Sequence, residues 1–146
     1  MNLMDELIEA YLDNNFEHPY FLDLQTGQVI PDLDETYTGE PGIDWDDEEN
    51  EERYEPIPKI TSDEAYGLMV KFARQMDSNL ADKLFDALDR PKPFRRFRDM
   101  LFELDLRDEW NSFERKMAEE EINSWIEQDQ IPYELLNKKY QKSMDF

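Results

Sequence analysis

The spacing of hydrophobic and polar positions near the start of the chain predicts one helix and one β-hairpin. Apolar side chains recur at helical intervals over residues 3–14. Two short apolar runs, at residues 20–24 and 28–30, flank the sequence QTG, which predicts a tight turn with Gly27 at positive φ. Pro31 then limits the second strand to a sheet edge or an early end, because proline has no amide hydrogen to donate.

The rest of the chain predicts one further extended segment, followed by helices. The prolines of RYEPIPKI, residues 53–60, favour an extended segment, which we expect to add a third strand beside the hairpin. TSDE follows as a capping box, in which the Thr61 hydroxyl accepts an amide hydrogen bond and Glu64 reaches back. Helical spacing of apolar residues predicts five helices, which begin near Thr61, Ser78, Pro93, Leu106 and Pro132.

These elements predict an α+β fold: a mainly helical bundle of four to six helices with a small N-terminal β-hairpin or three-stranded antiparallel sheet. A chain of 146 residues, 39% of them apolar, is long enough to bury a core. The sequence shows neither an internal repeat nor a second domain boundary, so residues 1–146 are predicted to form a single domain.

Residues 32–52 depart from this pattern, since they are mostly acids, glycine and proline. So many like charges with so few hydrophobic residues cannot offset the entropy lost on ordering. We therefore expect a mobile acidic loop over residues 32–52.

Charge is unevenly distributed along the chain. The formal net charge is −21; residues 1–55 hold eighteen acids and one base, whereas residues 56–146 hold nineteen acids and fifteen bases. Cysteine is absent, which excludes disulfides and cysteine metal sites and is compatible with a reducing cytoplasm. The N-terminus is acidic, and no apolar run approaches the ~20 residues that span a bilayer. We expect a soluble cytoplasmic protein without a membrane partner.

The sequence RPKPFRRFR gathers five bases in this strongly acidic chain. Helical geometry places Phe94 and Phe97 on the core side. Arg95 and Arg96 then point outward, and Arg98 lies at the boundary. The candidate anion- or partner-binding residues are therefore Lys92, Arg95, Arg96 and Arg98.

Cations in the first turn of a helix face the positive end of the helix dipole, which costs about 0.3–1 kcal/mol each when they are exposed. A nearby anion should offset this cost: the chain's own carboxylates, the carboxylates of another protein, or phosphate. Pairing within the chain is the favoured hypothesis, and a partner protein is the next. Nucleic acid is disfavoured, because five bases against thirty-seven acids are not the footprint of a dedicated nucleic-acid binder.

A second candidate site is the acidic arm of the predicted loop, which comprises Asp44, Trp45, Asp46, Asp47, Glu48 and Glu49. Such a run is usually only solvated. A calcium loop is disfavoured although Asp44, Asp46 and Glu48 alternate, because Glu49 occupies the position that needs glycine. The third hypothesis is a binding segment for a basic partner, anchored by the Trp45 ring.

Motifs of known enzyme classes are missing from the sequence. It has no glycine-rich phosphate loop, nucleophile elbow or zinc spacing. The single histidine, His18, lies between Glu17 and Pro19, where a surface role is expected. We therefore predict that the protein is not an enzyme and has no cofactor and no metal.

The order of motifs carries a family resemblance. YFLDLQTGQVI, ERYEPIPKITSDEAYGLMVKF, FRRFRDML and EWNSFERKMAEEEINSWI follow one another over about residues 3–127. In this order they resemble the bacterial Uncharacterised Protein Family 0158. Gln28 stands where that family usually has glutamate, and Arg98 where lysine is common. The resemblance implies one compact domain in which the Arg95–Arg96 pair belongs to the shared plan, and it implies no activity or ligand.

Taken together, these features predict a small, acidic, non-catalytic protein-interaction or regulatory module. In it, the arginines of FRRFR receive anions and residues 32–52 form an acidic arm. The alternatives are phosphate or RNA binding through the arginines, and a hydrolase that uses paired carboxylates.

Overall fold

The computed structural model describes residues 1–13, 18–33 and 42–144. Within these residues it contains seven helices and one three-stranded antiparallel sheet, which confirms the α+β class. None of these seven helices is both long and apolar enough to cross a membrane. The elements are α1 (Leu3–Leu12), β1 (Tyr20–Asp23), β2 (Val29–Pro31), α2 (Glu48–Arg53), β3 (Tyr54–Pro56), α3 (Ser62–Gln75), α4 (Ser78–Leu88), α5 (Pro93–Glu103), α6 (Arg107–Gln128) and α7 (Tyr133–Met144).

The chain divides into two compact units. The sheet unit comprises Met1–Lys59 and Ala118–Phe146, and the helical unit comprises Ile60–Met117. The boundary between Met117 and Ala118 falls inside α6. The organisation of residues 1–146 as a single domain stays a prediction.

The sheet has the strand order β2-β1-β3, so the third strand lies beside the hairpin as predicted. Phe21 of β1 pairs with Ile30 on one side and Pro56 on the other. The hairpin turn needs Gly27, whose φ of 76° is the left-handed conformation that was predicted. A Cβ atom at Gly27 would also collide with the carbonyl oxygen of Leu136 in α7. Both the conformation and the close approach of α7 therefore require glycine at this position.

Helices α1 and α7 complete the core of the sheet unit. The backbone amide of Leu3 donates to Oδ1 of Asn137 at 3.1 Å, which supplies one of the amides at the start of α1 with an acceptor. Tyr140 of α7 is buried, and its hydroxyl hydrogen-bonds the carboxylate of Glu6 in α1. Burial is the largest cause and the contact with Glu6 the next, and together they raise the pKa of Tyr140 to about 12. The phenol therefore stays protonated and serves as a donor inside the unit.

All of helix α2 except its last residue, Arg53, lies in the segment that was predicted to be a loop. The Asp47 carboxylate caps this helix by accepting a hydrogen bond from the Glu49 amide at 3.1 Å. Acids occupy its first turn and Arg53 its last, which is the arrangement that a helix dipole favours. The number of like charges predicted a loop, but their order along the chain, with acids first and Arg53 last, favours a helix. Residues 34–41 of the predicted loop lie outside the described residues, and its mobility stays a prediction.

A partly buried ion pair connects β1 to the end of α2. Nε and Nη2 of Arg53 donate to the two carboxylate oxygens of Asp23 at 3.0 and 2.9 Å, and the Gln25 amide donates to Oδ1 at 2.9 Å. Asp23 is only 1% exposed. Burial alone would raise the pKa of Asp23, but the hydrogen bonds from Arg53, Gln25 and Thr26 outweigh it and hold this pKa below its ordinary value.

The helical unit has an aromatic core. Its first helix, α3, begins with the predicted capping box, since the Thr61 hydroxyl accepts from the Glu64 amide at 3.1 Å. Phe97 of α5 is fully buried, and its ring centroid lies 6.4 Å from that of Phe72 and 5.2 Å from that of Trp110. Phe97 thus occupies the core side of α5, as predicted.

Replacing Phe97 by alanine should lower the free energy of unfolding by about 3–5 kcal/mol, because it leaves a cavity among packed rings. Phe102 is a matched control on the same helix, since its side chain is 68% exposed. Phe102→Ala should change the free energy of unfolding by no more than about 0.5 kcal/mol. Urea denaturation of the three proteins measures both values, and equal losses for the two variants would contradict this orientation of α5.

Replacing Asp23 by asparagine should make stability less dependent on pH. The folded pKa of Asp23 lies below its ordinary value of 3.8, so its contribution is fully present above that value and is lost as the pH falls through the folded pKa. Asp23→Asn should therefore cost about 1–2 kcal/mol at pH 7. The difference between the two proteins should shrink at about pH 3. Urea denaturation at both pH values measures it, and a difference that does not change with pH would contradict the charge assignment.

Candidate anion-binding face on helix α5

Two prolines determine where α5 begins. Lys92 lies between Pro91 and Pro93 and adopts the left-handed conformation, with φ of 58°. A residue that precedes proline is disfavoured in the right-handed helical region. Lys92 is therefore not part of a helix, and α5 begins at Pro93. The first turn of α5 contains no acidic residue, and within the described chain no side chain caps it. The positive end of this helix therefore carries cations and no counter-charge of its own.

All four predicted cations of this region, namely Lys92, Arg95, Arg96 and Arg98, are exposed. None of them forms an ion pair with a carboxylate in the ranges 1–13, 18–33 and 42–144. Arg96 instead donates from Nε to the carbonyl oxygen of Pro91 at 2.8 Å. The nearest basic neighbour in sequence, Arg90, pairs with Asp86 of α4 at 3.0 Å. The favoured hypothesis of pairing within the chain thus finds no carboxylate partner for these four cations in the described ranges.

The helix separates the arginines onto two edges. At 100° per residue, Arg95, Arg98 and Phe102 share one edge of α5, whereas Arg96 and Glu103 share the other. The edge with Arg96 borders a shallow depression that Asp86 and Asp99 also line. Asp99 lies between the two edges, since it is at i+4 from Arg95 and also lines the groove on the other side of α5. We call the edge with Arg95 and Arg98 the arginine edge.

A groove lies between the arginine edge of α5 and the first turns of α6. We call it the α5–α6 groove; it has a volume of about 440 Å³. Its lining residues are Arg98, Asp99, Leu101, Phe102, Arg107, Trp110, Asn111 and Glu114. Leu101 and Trp110 are buried and form an apolar floor. The exposed Phe102 ring forms part of one wall, and the guanidinium carbon of Arg107 lies 5.9 Å from its centroid. The groove thus combines an apolar floor with two arginines and two carboxylates.

Glu114 is the half-buried acid of the groove. Burial raises the pKa of Glu114 above its ordinary value, and the opposing attraction of Arg98 is too weak to reverse the shift. The carboxylate is therefore partly desolvated and only weakly compensated. Any ligand carboxylate that approaches Arg98 would meet this negative charge as a competitor.

Phe102, Arg107 and Glu114 were not among the site residues predicted from the sequence. A usable signal was present, because Phe102 falls outside the apolar stripe of α5 and on the arginine edge at i+7 from Arg95. Arg107 and Glu114 belong to the next helix. Their position beside α5 depends on how two helices pack, which periodicity within one helix does not reveal.

The acidic arm lies in the sheet unit and is part of its structure. Asp47, Glu48 and Glu49 begin α2, while Asp44 accepts a hydrogen bond from the Asp46 amide at 3.1 Å. Among the described residues, no three histidine, aspartate or glutamate side chains are grouped so as to hold a metal ion.

Trp45 of the acidic arm packs against its own sheet. Its ring centroid lies 4.9 Å from that of Phe21 and 6.2 Å from that of Tyr54, and its indole nitrogen donates to Asp32 at 2.9 Å. The residue is 36% exposed. Trp45 therefore has a structural role in the sheet unit, and its role toward a basic partner stays a prediction.

Charge follows the division into two units. The helical unit, Ile60–Met117, holds twelve acids and eleven bases, which gives a net charge of −1. The sheet unit holds the other twenty-five acids and five bases, which gives −20 and accounts for the total of −21. The arginine edge therefore belongs to a unit that is close to neutral.

Replacing Arg95 and Arg96 together by alanine should leave the melting temperature unchanged or raise it slightly. Neither residue pairs with a described carboxylate, and cations near a helix N-terminus are unfavourable. Arg90→Ala is the comparison, since it removes the exposed pair with Asp86, worth about 0.3–0.5 kcal/mol. Thermal unfolding followed by circular dichroism measures both effects. A clearly lower melting temperature for the double variant would show that a carboxylate of the chain itself pairs with these arginines.

The model of the Uncharacterised protein family (UPF0158) matches residues 1–143 of the chain. Neither a curated protein nor a solved structure matches the chain. The family match covers nearly the whole chain, including Lys92 and the three exposed arginines of α5. The chain therefore belongs to the Uncharacterised protein family UPF0158, as the resemblance of its motifs predicted.

Proposed function

We propose that the protein is a non-catalytic, cytoplasmic protein-interaction module whose arginine edge binds carboxylates of another protein. One observation carries the proposal: Arg95 and Arg98 are exposed on a single edge of α5, and neither forms an ion pair with a carboxylate among the described residues. Buried Phe97 fixes the rotation of that helix, so the two cations are held outward.

Free-energy considerations favour binding of an external anion over a surface that binds nothing. An exposed cation in the first turn of a helix costs about 0.3–1 kcal/mol, so an unpaired Arg95 does not stabilise the fold. A partner carboxylate would offset this cost, because arginine donates two parallel hydrogen bonds to a carboxylate. The guanidinium group is also weakly hydrated and so loses little on desolvation. These properties suit a surface that pairs with another protein.

A protein partner is favoured over RNA on grounds of charge. Nucleic-acid affinity arises mainly from cations that displace counterions at phosphates, with a slope of about −0.9 per contact in log affinity against log salt. Arg95, Arg96 and Arg98 would supply a slope of only about −2.7. Even the helical unit has a net charge of −1, so the field of the protein adds no attraction for a polyanion. A partner protein that bears carboxylates needs only short-range ion pairs with these arginines.

Affinity capture from an extract of the source cells tests the proposal. The immobilised proteins are the wild type, the variant Arg95→Gln with Arg98→Gln, and a charge-matched control, Arg74→Gln with Lys83→Gln. Both control residues are exposed and lie on other helices of the same unit. Quantitative mass spectrometry should show a protein that the wild type and the control retain. Loss of two charge-assisted pairs should reduce its recovery by the arginine variant at least about tenfold.

Nuclease treatment separates the protein hypothesis from the RNA hypothesis. Recovery of the partner should survive nuclease and fall as salt increases, since surface charges are screened beyond ~8 Å at physiological ionic strength. Recovery that vanishes with nuclease would favour RNA binding. Equal recovery by all three proteins would contradict any role of the arginine edge.

A further inference from the structure

We infer that Glu114 makes anion binding by the arginine edge depend on protons: its carboxylate competes for Arg98, and its protonated form leaves Arg98 to an external anion. This inference rests on the proposed function and deepens it, because it names what regulates the same site. Binding of an anion by Arg95 and Arg98 should therefore tighten as the pH falls.

The position of Glu114 sets it apart from the other acids of the helical unit. Eleven of the twelve acids in Ile60–Met117, which the structure describes completely, are exposed, and Glu114 is the one that is half-buried. It lies four residues after Trp110, which is 7% exposed, and residues four apart share one face of a helix. The Glu114 side chain therefore leaves α6 beside the buried Trp110 ring and lines the groove from there.

Three other charged groups line the groove with Glu114. Arg98 and Asp99 belong to α5, and Arg107 belongs to the first turn of α6. Helix α3 also packs against α6, through Phe72, but adds no described residue to this lining. In the part of the chain that the structure describes, Arg98 and Glu114 form no ion pair, yet the attraction of Arg98 acts on Glu114. The two groups are therefore coupled through space while the guanidinium group stays available.

Coupling between a proton site and an anion site is reciprocal. Burial is the larger influence and raises the pKa of Glu114 above its ordinary value of 4.5, so this carboxyl group takes up a proton more readily than an exposed glutamate. An anion bound to Arg98 would cancel the opposing attraction and raise the pKa of Glu114 further. By linkage, protonation of Glu114 must favour the bound anion by the same factor. Proton binding and anion binding thus support each other at the arginine edge.

The experiment titrates the full chain with sulfate, which stands in for the partner's carboxylates and stays fully ionised in mild acid. NMR signals of the Arg95 and Arg98 guanidinium groups report binding. Titrations at about pH 7.5 and about pH 5 both lie above the sequence pI of about 4.2. Between these two conditions, the affinity of the wild type should rise about threefold more than that of Glu114→Gln.

Matched variants assign the effect to one carboxylate. Glu114→Gln fixes the uncharged state, so at about pH 7.5 it should already bind sulfate about threefold more tightly than the wild type. Asp99→Asn removes the other carboxylate of the groove, and Glu103→Gln removes one from the other edge of α5; both should keep the pH dependence of the wild type. Equal pH dependence in the wild type and Glu114→Gln, or its loss in Asp99→Asn, would overturn the inference.

Urea denaturation provides a readout that needs no ligand. The folded pKa of Glu114 lies above 4.5, so the contribution of its protonated form to stability is fully present below 4.5 and is lost as the pH rises through the folded pKa. Relative to the wild type, Glu114→Gln should therefore gain stability between about pH 5 and about pH 7.5. A relative loss over the same range would contradict the desolvation of Glu114 and overturn the inference.

The outcomes separate this inference from the proposed function. If Arg95→Gln with Arg98→Gln loses the captured partner but Glu114→Gln keeps the pH dependence of sulfate binding, the proposed function stands and the inference is wrong. If Glu114→Gln removes the pH dependence but the arginine variant retains the captured partner, the proton effect stands and the proposed function is wrong. If the arginine variant binds sulfate as tightly as the wild type, the arginine edge binds no anion and both are wrong.

Discussion

The burial of Phe97 against Phe72 and Trp110 is the interaction on which the proposed binding surface depends. A helix has one rotation that buries a given side chain, so burying Phe97 fixes which residues of α5 face outward. That rotation puts Arg95, Arg98 and Phe102 on one edge and Arg96 with Glu103 on the other. The three arginines of FRRFR, which are close together in the sequence, therefore lie on two edges of the helix.

The distribution of charge explains how so acidic a chain keeps a cationic surface. The acid excess is confined to the sheet unit, where the Asp23–Arg53 pair and the capping of α2 by Asp47 turn part of it into structure. The helical unit is nearly neutral. At physiological salt, electrostatic interactions of its exposed arginines are largely screened beyond ~8 Å. The net charge of −21 then repels polyanions at long range without preventing short-range pairing with a carboxylate.

Local patterns in the sequence predicted most of the fold. The hairpin with Gly27, the capping box at Thr61 and the inward direction of Phe97 each depend on residues close together in the chain, and each is confirmed. Helix α2 was missed because its stability comes from the order of its charges and from a distant partner, Asp23. The groove was missed for a similar reason, since Arg107 meets Phe102 only through packing of two helices.

Side-chain NMR of the arginines tests the central claim most directly. Guanidinium signals of Arg95 and Arg98 should indicate free rotation in the protein alone and hindered, shifted groups once the captured partner is added, because bidentate pairing restrains the guanidinium plane. Arg74, on α3, should not change. If Arg95 and Arg98 are already restrained in the protein alone, or stay unchanged in the complex, the arginine edge does not receive the partner's carboxylates.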